Sequence, residues 1–307
     1  MKVVVVGAGG VGGYFGGRLA AAGHEVAMVA RGPHLAALQA NGLRVRSVKG
    51  DFAVPVDASD DASTFGPSDA VLFCVKAYDT EAAARRLAPV LGPDTAVVSL
   101  QNGVDNEDLI GAVVGADHVV GGAAFIFSAI AEPGVIAHTG GPARIVFGER
   151  DNRRSDRVES LLTACHEAGI DADVARDINA VLWTKFAFIC AAAGMTSSVR
   201  LPLGDIRESP AAWAMFRDIV AEVVTLARLE GVELGNDVID QQVGFASGLP
   251  ADSYSSLHHD LTFGRRMELE ALHGSVVRRA DRVGLAVPAC RAVLAVLEPW
   301  ARRNAGA

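Results

Sequence analysis

Residues 1–12, MKVVVVGAGGVG, place an unbroken apolar run directly before a glycine-rich turn. The run at residues 3–6 predicts a buried parallel strand, and residues 14–22 predict the helix that follows it. The turn between them consists of Gly7, Ala8, Gly9, Gly10, Val11 and Gly12, whose glycine spacing is typical of a dinucleotide-binding loop.

Three glycines of this loop each have a separate physical role. Gly7 permits the tight turn, Gly9 lets the backbone approach a pyrophosphate, and Gly12 allows the helix to pack closely on the strand. The N-terminus of the following helix presents free N–H groups to the anion. The alternative is a glycine-rich turn that binds nothing, and the strand and helix on either side favour the binding loop.

Strand and helix signals alternate after this first unit. Strands are predicted at residues 25–29, 70–74, 95–100 and 119–127, a helix at 33–40 and an amphipathic helix at 156–168. Residues 135–138 and 144–147 predict a late hairpin. The fold class is therefore α/β, with an N-terminal Rossmann domain at residues 1–176 whose parallel sheet is doubly wound.

The second half has a different pattern. From about residue 177, Ala/Leu/Val segments at helical spacing predict helices at 178–193, 211–229, 237–246 and 269–283. We therefore predict an all-helical domain at residues 177–307, for substrate binding or dimerisation. The polar tail at 302–307 is expected to fray.

The bulk composition excludes several classes of function. The chain has 307 residues, half of them hydrophobic, and a formal net charge of -8, which argues against nucleic acid as a partner. Its four cysteines form no CxxC pair, which indicates neither a zinc site nor a disulfide framework. The N-terminal valine run is too short for a signal peptide, and we expect no apolar stretch of membrane-spanning length. These features predict a cytoplasmic protein without a membrane partner; a homodimer and a monomer are both compatible with them.

The residues after the second predicted strand favour NADP over NAD. An NAD site usually carries Asp or Glu there, but this chain has Ala30 and Arg31. An arginine can bind the extra 2′-phosphate through charge-assisted hydrogen bonds. The alternative is that Arg31 is an exposed loop charge.

Lys185 is the clearest candidate for chemistry, because it lies in an apolar helical segment, VLWTKFAFI. Burial there would favour release of its proton. The alternative is a lysine whose aliphatic stem carries the ammonium group to water.

Two further polar residues follow predicted strands. Asn102 comes after an apolar strand, and Lys76 after another. The carboxyl ends of such strands line the crevice in which open α/β sheets bind ligands. For Asn102 the alternative is an ordinary Asn-Gly turn.

A last cluster begins at Ser253-Tyr254-Ser255-Ser256 and runs to Glu268. Ser256 and Glu268 would stand about 18 Å apart on one straight helix, so one shared site needs a bend or a long ligand. A simpler interpretation makes Glu268 a surface carboxylate beside Arg265. His258 and His259 lack further metal-ligand spacing, so no metal is predicted.

Taken together, the glycine loop, Lys76, Leu100-Gln101-Asn102-Gly103, Lys185 and the serine pair through Glu268 resemble the ketopantoate reductase family (2-dehydropantoate 2-reductase). The resemblance spans nearly the whole chain. It implies a Rossmann domain, a helical domain and a cleft between them, and NADPH-dependent reduction of a 2-oxo acid, most simply 2-dehydropantoate to pantoate in pantothenate biosynthesis.

The resemblance also implies a role for each matching residue. The general acid falls on Lys185, and the asparagine that contacts both cofactor and substrate falls on Asn102. Further cofactor contacts fall on Lys76 and Glu268. Substrate contacts fall on Ser256 and on Ser253, the latter at a position where the family has asparagine.

The substrate half departs from the family. Ile189 and Ala193 stand where the family has asparagines that face the substrate. Losing such partners would leave the polar groups of ketopantoate unpaired, at about 1 to 3 kcal/mol each. Three alternatives therefore stay open: a paralogue acting on a less polar oxo acid or ketone, another Rossmann-plus-helical dehydrogenase such as a 3-hydroxy acid or opine enzyme, and a non-catalytic NADP-binding regulator.

Overall fold

The computed structural model describes residues 1–306. The chain divides into two compact units. The first comprises residues 1–101 and 106–178, and the second comprises residues 102–105 and the chain from 179 onward. The boundary expected after residue 176 lies close to this division, but the assignment of residues 102–105 to the second unit has no counterpart in the sequence pattern.

The first unit contains one ten-stranded sheet. Its strands are β1 (Lys2–Val6), β2 (Glu25–Val29), β3 (Leu43–Ser47), β4 (Phe52–Val54), β5 (Asp57–Ser59), β6 (Ser68–Phe73), β7 (Leu91–Ser99), β8 (Val119–Glu132), β9 (Val135–Glu149) and β10 (Asp171–Val174). They lie in the order β4-β3-β9-β8-β7-β6-β1-β2-β5, and β10 pairs with β9. Neighbours are parallel except in the pairs β3–β4 and β8–β9.

Helices cover both faces of this sheet because its central strands are apolar on both sides. Val3 and Val5 of β1 join one core cluster, and Val4 and Val6 join the other. The helices of this unit are α1 (Gly10–Ala21), α2 (Gly32–Asn41), α3 (Thr80–Ala84), α4 (Asn106–Val114) and α5 (Asp156–Glu167). The predicted α/β class with a Rossmann-type sheet is confirmed.

One strand prediction is wrong in its pairing. Residues 135–138 and 144–147 do not form a hairpin with each other, because both belong to β9, which pairs antiparallel with β8 along nearly its whole length. The residues between them have turn-like backbone conformations, since Gly141 and Ala143 have positive φ values of 79° and 50°. These residues instead make an irregularity within one long strand. The short strands β3, β4, β5 and β10 lack a strong sequence signal and were not predicted.

The second unit is helical. Its helices are α6 (Ile178–Val199), α7 (Leu203–Glu208), α8 (Pro210–Leu229), α9 (Val238–Ser247), α10 (Ser256–Thr262), α11 (Ser275–Val283) and α12 (Pro288–Ala305). The single helix predicted at 269–283 is wrong at its start, since a π-helical turn at Glu270–Gly274 precedes α11. The expectation that the tail frays from residue 302 is also wrong, because α12 continues to Ala305. The buried Asn304 side chain donates to the carbonyl oxygens of Asp260 and Arg265. Ala307 lies outside the described residues.

The expectation that no apolar stretch reaches membrane-spanning length is wrong for helix α6. It has 22 residues and is long and apolar enough to cross a membrane by length and composition alone. However, 56% of its most apolar window is buried within the protein, as in the core helix of a folded domain. Lys185 also lies in this helix.

Candidate active site

The glycine-rich loop has the backbone that the sequence predicts. Gly7 has φ of 97°, a conformation that favours glycine, and a Cβ there would meet the backbone of Cys74 and Val75. A Cβ on Gly12 would overlap the carbonyl oxygen of Gly7, so α1 packs against the loop as closely as glycine allows. At Gly9 a Cβ would meet nothing within 4 Å, which leaves one side of the loop open.

The N-terminus of α1 fits an anion. The helix begins at Gly10, no side chain caps its N-terminal N–H groups, and its first turn carries no acidic residue. These N–H groups and the helix dipole favour negative charge. The loop residues therefore fit the pyrophosphate of a dinucleotide. Gly10 has a further constraint that the sequence did not indicate: a Cβ there would overlap the carbonyl oxygen of Ser128 in β8.

Arg31 lies at the start of α2, immediately after β2 and Ala30. Its side chain is 63% exposed, and one of its guanidinium nitrogens is 3.8 Å from an Asp79 carboxylate oxygen. Exposure leaves the guanidinium accessible to a phosphate. The structure is thus compatible both with cofactor contact and with an exposed loop charge.

A buried polar network that the sequence analysis missed supports the Lys76 segment. Gln101 donates from Nε2 to the carbonyl oxygen of Val75 at 2.9 Å and to Oγ1 of Thr80 at 2.8 Å. Thr80 in turn donates to Oδ1 of Asn106 at 3.2 Å. Lys76 itself is half-buried directly after Val75. The network therefore fixes the chain on both sides of Lys76.

Glu107 lies at the edge of this polar region, in the first turn of α4. It is 3% exposed, and burial raises the pKa of its carboxyl to about 7. The nearby Arg150 and a hydrogen bond with Ser99 lower this pKa only in part. Glu107 therefore stays protonated to a higher pH than an exposed glutamate.

Asn102 belongs to the second unit, where one arginine connects its loop to the lysine-bearing helix. Arg279 of α11 donates from Nε to Asp105 Oδ1 at 2.7 Å and from Nη2 to the Val104 carbonyl oxygen at 3.3 Å. Its guanidinium also lies 5.6 Å from the ring centroid of Trp183 in α6. Trp183 is two residues before Lys185. The structure thus links the loop that carries Asn102 to the helix that carries Lys185.

The charge of Arg279 is balanced within the second unit. Besides Asp105, it forms an ion pair with Glu230 at the end of α8. Although burial acts in the opposite direction, these two carboxylates raise the pKa of the guanidinium. This group has no signal in the sequence, because Arg279 and Asp105 are 174 residues apart.

Lys185 lies on the partly exposed side of α6. It is half-buried, as are Val181, Phe188 and Ile189, which lie one turn before or after it on the same face. Trp183 is buried on another face of the helix. The ammonium group therefore extends from a stripe whose nearest members on the same helix are apolar.

The positions where the resemblance expects substrate-facing asparagines differ in exposure. Ile189 is half-buried, but Ala193 is only 1% exposed and is packed within the second unit. Phe188 makes an edge-to-face contact with Phe245 of α9, with ring centroids 5.0 Å apart. The surface next to Lys185 on this helix is therefore apolar and partly aromatic.

The serine cluster lies near the other end of α6. Ser255 caps α10 by accepting from the N–H of His258, and its Oγ is 2.8 Å from Oγ1 of Thr196. Thr196 is eleven residues after Lys185, or about 16 Å along the helix. Ser256 is exposed at the first position of α10, and Ser253 is half-buried before it.

Ser256 and Glu268 are not on one helix. Helix α10 ends at Thr262, and Glu268 follows a non-helical segment just before the π-helical turn. The bend that a shared site requires is thus present. The interpretation of Glu268 as a surface carboxylate is wrong, because the residue is 9% exposed.

No metal centre accompanies these residues. Within residues 1–306, no group of three or more His, Cys, Asp or Glu side chains could hold a metal ion. The four cysteines are free thiols, and burial raises the pKa of the Cys165 thiol to about 12. A thiolate nucleophile at this position is therefore disfavoured.

The chain matches a known protein family along most of its length. Residues 3–152 match the family described as Ketopantoate reductase PanE/ApbA, and residues 177–300 match its C-terminal counterpart. The chain is 31% identical to an uncharacterized oxidoreductase, YkpB, of Bacillus subtilis, covering 98% of this chain and 99% of the relative. It is 33% identical to a 2-dehydropantoate 2-reductase of Halobacterium salinarum, covering 99% and 100%.

A solved structure gives the same result. The crystal structure of a PanE/ApbA family ketopantoate reductase from Ralstonia eutropha superposes with a TM-score of 0.91 at 35% identity, covering 99% of this chain and 100% of that one. The fold and these relatives define an oxidoreductase that acts on CH–OH donors. Within that class, the chain belongs to the ketopantoate reductase family.

Proposed function

We propose that this protein reduces a 2-oxo acid to the 2-hydroxy acid with NADPH, and that Lys185 is the general acid. The observation that carries the proposal is the place of Lys185: half-buried among apolar neighbours on α6, a helix that Arg279 connects to the loop of Asn102. A cation in such surroundings interacts strongly with negative charge that develops near it.

NADPH would be held by the residues that the resemblance and the loop geometry indicate. Bound NADPH supplies the hydride. The open side of the loop at Gly9 and the uncapped N-terminus of α1 favour the pyrophosphate, and Arg31 favours the 2′-phosphate. The proposed cofactor contacts are Gly7, Ala8, Gly9, Gly10, Val11, Gly12, Arg31, Lys76, Asn102 and Glu268.

The protein's own residues would orient the substrate and move the proton. The Lys185 ammonium would donate a hydrogen bond to the carbonyl oxygen and then the proton as that oxygen becomes an alkoxide. The Asn102 amide would hold the substrate in line for reaction, an effect of orientation. Ser253 and Ser256 would contact the far end of the substrate.

The first substrate to consider is 2-dehydropantoate, which would place the protein in pantothenate biosynthesis. Relatives of that name cover nearly the whole chain, including those from Halobacterium salinarum and Mesorhizobium japonicum. Such an enzyme would work in the cytoplasm, and the four unpaired cysteines are compatible with a reducing compartment.

A second candidate is a less polar 2-oxo acid, and the surface of α6 favours it. One turn after Lys185, the helix offers Phe188 and Ile189 where a hydroxylated substrate would need hydrogen-bond partners, and the ring of Phe188 contacts Phe245 of α9. An unpaired buried hydroxyl costs about 1 to 3 kcal/mol, whereas an alkyl or aryl group gains from the contact.

The decisive experiment measures NADPH oxidation with 2-dehydropantoate, 2-oxoisovalerate and an aryl 2-oxo acid. We expect turnover of at least one of them, and a fall in kcat/KM of about 10² to 10⁴ in Lys185→Met, which removes the charge and keeps the length. The affinity for NADPH should be nearly unchanged. The control Lys49→Met changes an exposed lysine of the first unit and should leave turnover intact.

The alternatives give different results. Tight NADPH binding without turnover of any oxo acid would identify a cofactor-binding regulator, and full activity of Lys185→Met would remove the proposed acid. Ile189→Asn separates the two substrate candidates. If the less polar substrate is correct, this change lowers kcat/KM for the alkyl or aryl oxo acid and raises it for 2-dehydropantoate by about tenfold, one added hydrogen bond.

A further inference from the structure

His34 connects the glycine-rich loop to a distant hairpin. It lies half-buried in α2, with Nε2 2.8 Å from the carbonyl oxygen of Ala8. On its other side, the N–H of Gly134 donates to Nδ1 at 3.0 Å. Gly134 is in the turn between β8 and β9. One imidazole thus joins three segments: the loop, the first turns of α2 and the hairpin.

The two hydrogen bonds determine the tautomer of the ring. A backbone N–H can only donate, so Nδ1 must accept from Gly134, and the ring proton must then be on Nε2. Nε2 therefore donates to Ala8. Burial lowers the pKa of His34, although the hydrogen bond with Ala8 opposes this shift, so the neutral ring with one donor and one acceptor is favoured near pH 7.

The loop is held from two sides. The N–H groups of Gly7 and Ala8 both donate to the carbonyl oxygen of Val29 at the end of β2, at 3.1 and 3.2 Å. The carbonyl of Ala8, which belongs to the next peptide unit, is held by His34 instead. Strand β8 also packs directly on the loop, since Gly10 has no room for a Cβ beside Ser128. The loop is thus held by β2, by β8 and by His34.

We propose that His34 is a positioning residue for the cofactor: it holds the Ala8 peptide so that the loop keeps the shape that receives the pyrophosphate. This inference rests on the proposed nicotinamide cofactor. Because a flexible loop must lose conformational entropy on binding, a loop fixed in advance binds more tightly. His34 would act on affinity for the dinucleotide and not on the chemical step, since it lies outside the residues assigned to that step.

The test uses three variants of the full chain and a direct NADPH titration. His34→Phe keeps a ring and removes both hydrogen bonds. His34→Gln places an amide N–H near the position of Nε2 and can restore the donor to Ala8, whereas His34→Asn places an amide oxygen near Nδ1 and can restore only the acceptor for Gly134. We expect the Kd for NADPH to rise about tenfold in the Phe and Asn variants, and the Gln variant to recover most of the affinity. The KM for NADPH should follow Kd, with kcat at saturating NADPH unchanged.

His24 provides the matched control. Its Nε2 is also close to a backbone carbonyl oxygen of the first unit, that of Ala164 at 3.3 Å, but this contact is with α5 and not with the loop. His24→Phe should leave the Kd for NADPH unchanged. If His34→Phe binds NADPH as tightly as the parent, or the Gln and Asn variants bind equally, the inference is overturned. Failure of the parent protein to bind NADPH or NADH would instead overturn the proposed cofactor.

Discussion

At the scale of single residues, the proposed contact with the 2′-phosphate depends on Arg31, which lies just after β2 and beside Asp79. Their side chains are 3.8 Å apart, and the arginine is mostly exposed, so the ion pair itself contributes little to stability. A 2′-phosphate carries more charge than a carboxylate and would compete for the same guanidinium. Arg31 would therefore discriminate between the two nicotinamide dinucleotides.

We expect Arg31→Ala to raise the Kd for NADPH by about 10- to 100-fold, the loss of a charge-assisted hydrogen bond, with little change for NADH. Asp79→Asn removes the competing carboxylate and should tighten NADPH binding. Fluorescence titration with both dinucleotides measures these effects. Arg85→Ala, which changes an arginine paired with Glu81, serves as the control. Equal weakening of both dinucleotides would contradict the assignment of Arg31 to the phosphate.

The sequence predicts some features of single residues well, because neighbouring residues in the chain determine them. The turn at Gly7 and the close packing at Gly12 follow from glycine spacing between a strand and a helix, and the structure has both. His34 and Gln101 were not predicted as parts of the site. Their partners are distant in sequence, for example Gly134 at 100 residues from His34. Only the fold brings such pairs together.

At the scale of elements, the packing of α6 against the π-helical turn depends on Gly194. A Cβ at Gly194 would lie 2.6 Å from Nε2 of His273, a ring with 0% exposure, and 3.1 Å from Val293. Neither neighbour can move into solvent. The helix therefore needs glycine at a position where alanine would otherwise be the better helix former.

We expect Gly194→Ala to lower the free energy of unfolding by about 1 to 3 kcal/mol through overpacking. The matched control is Gly244→Ala in α9, where a Cβ would meet nothing within 4 Å. That variant should gain about 0.5 to 1 kcal/mol from helix propensity. Urea unfolding measures the free energy of unfolding of both variants. If Gly194→Ala is more stable than the parent, the His273 side chain can shift to make room for the added Cβ, and the prediction is wrong.

The π-helical turn also shows where pattern analysis fails for an element. Residues 269–283 have helical periodicity, yet Gly274 donates to the carbonyl oxygen of Leu269, five residues back. The wider turn accommodates one extra residue beside His273 and directly follows Glu268. A period count averaged over fifteen residues cannot detect one inserted residue, just as turn-forming residues within β9 concealed a continuous strand.

At the scale of the whole molecule, the change from alternating strands to helices near residue 177 was sufficient to predict two kinds of structure. The sequence could not show that residues 102–105 belong to the helical unit. Within that unit, Arg279 contacts Val104 and Asp105, which lie more than 170 residues before it in the chain. The partly buried guanidinium of Arg279 thus connects the loop that carries Asn102 with the rest of the helical unit.

Two buried ionisable side chains, one in each unit, should give the protein opposing pH dependences of stability. Burial lowers the pKa of His273 to about 4, below its usual 6.5, so the unfolded chain takes up the proton first. The stability contributed by the neutral ring is complete above pH 6.5 and is lost as the pH falls toward 4. Burial raises the pKa of Glu107 from 4.5 to about 7, so its contribution is complete below pH 4.5 and is lost as the pH rises through 7.

Between pH 4.5 and 6.5 the two slopes have opposite signs and similar size, about 1 kcal/mol per pH unit each, so they should nearly cancel. His273→Gln removes one slope, so through this window the free energy of unfolding should fall with rising pH relative to that of the parent. Glu107→Gln should do the reverse relative to the parent, because the contribution of His273 is then no longer opposed by that of Glu107. Urea unfolding at several pH values measures both slopes. If the two single variants have the same pH slope as the parent, these side chains are not held in the protonation states that their burial requires.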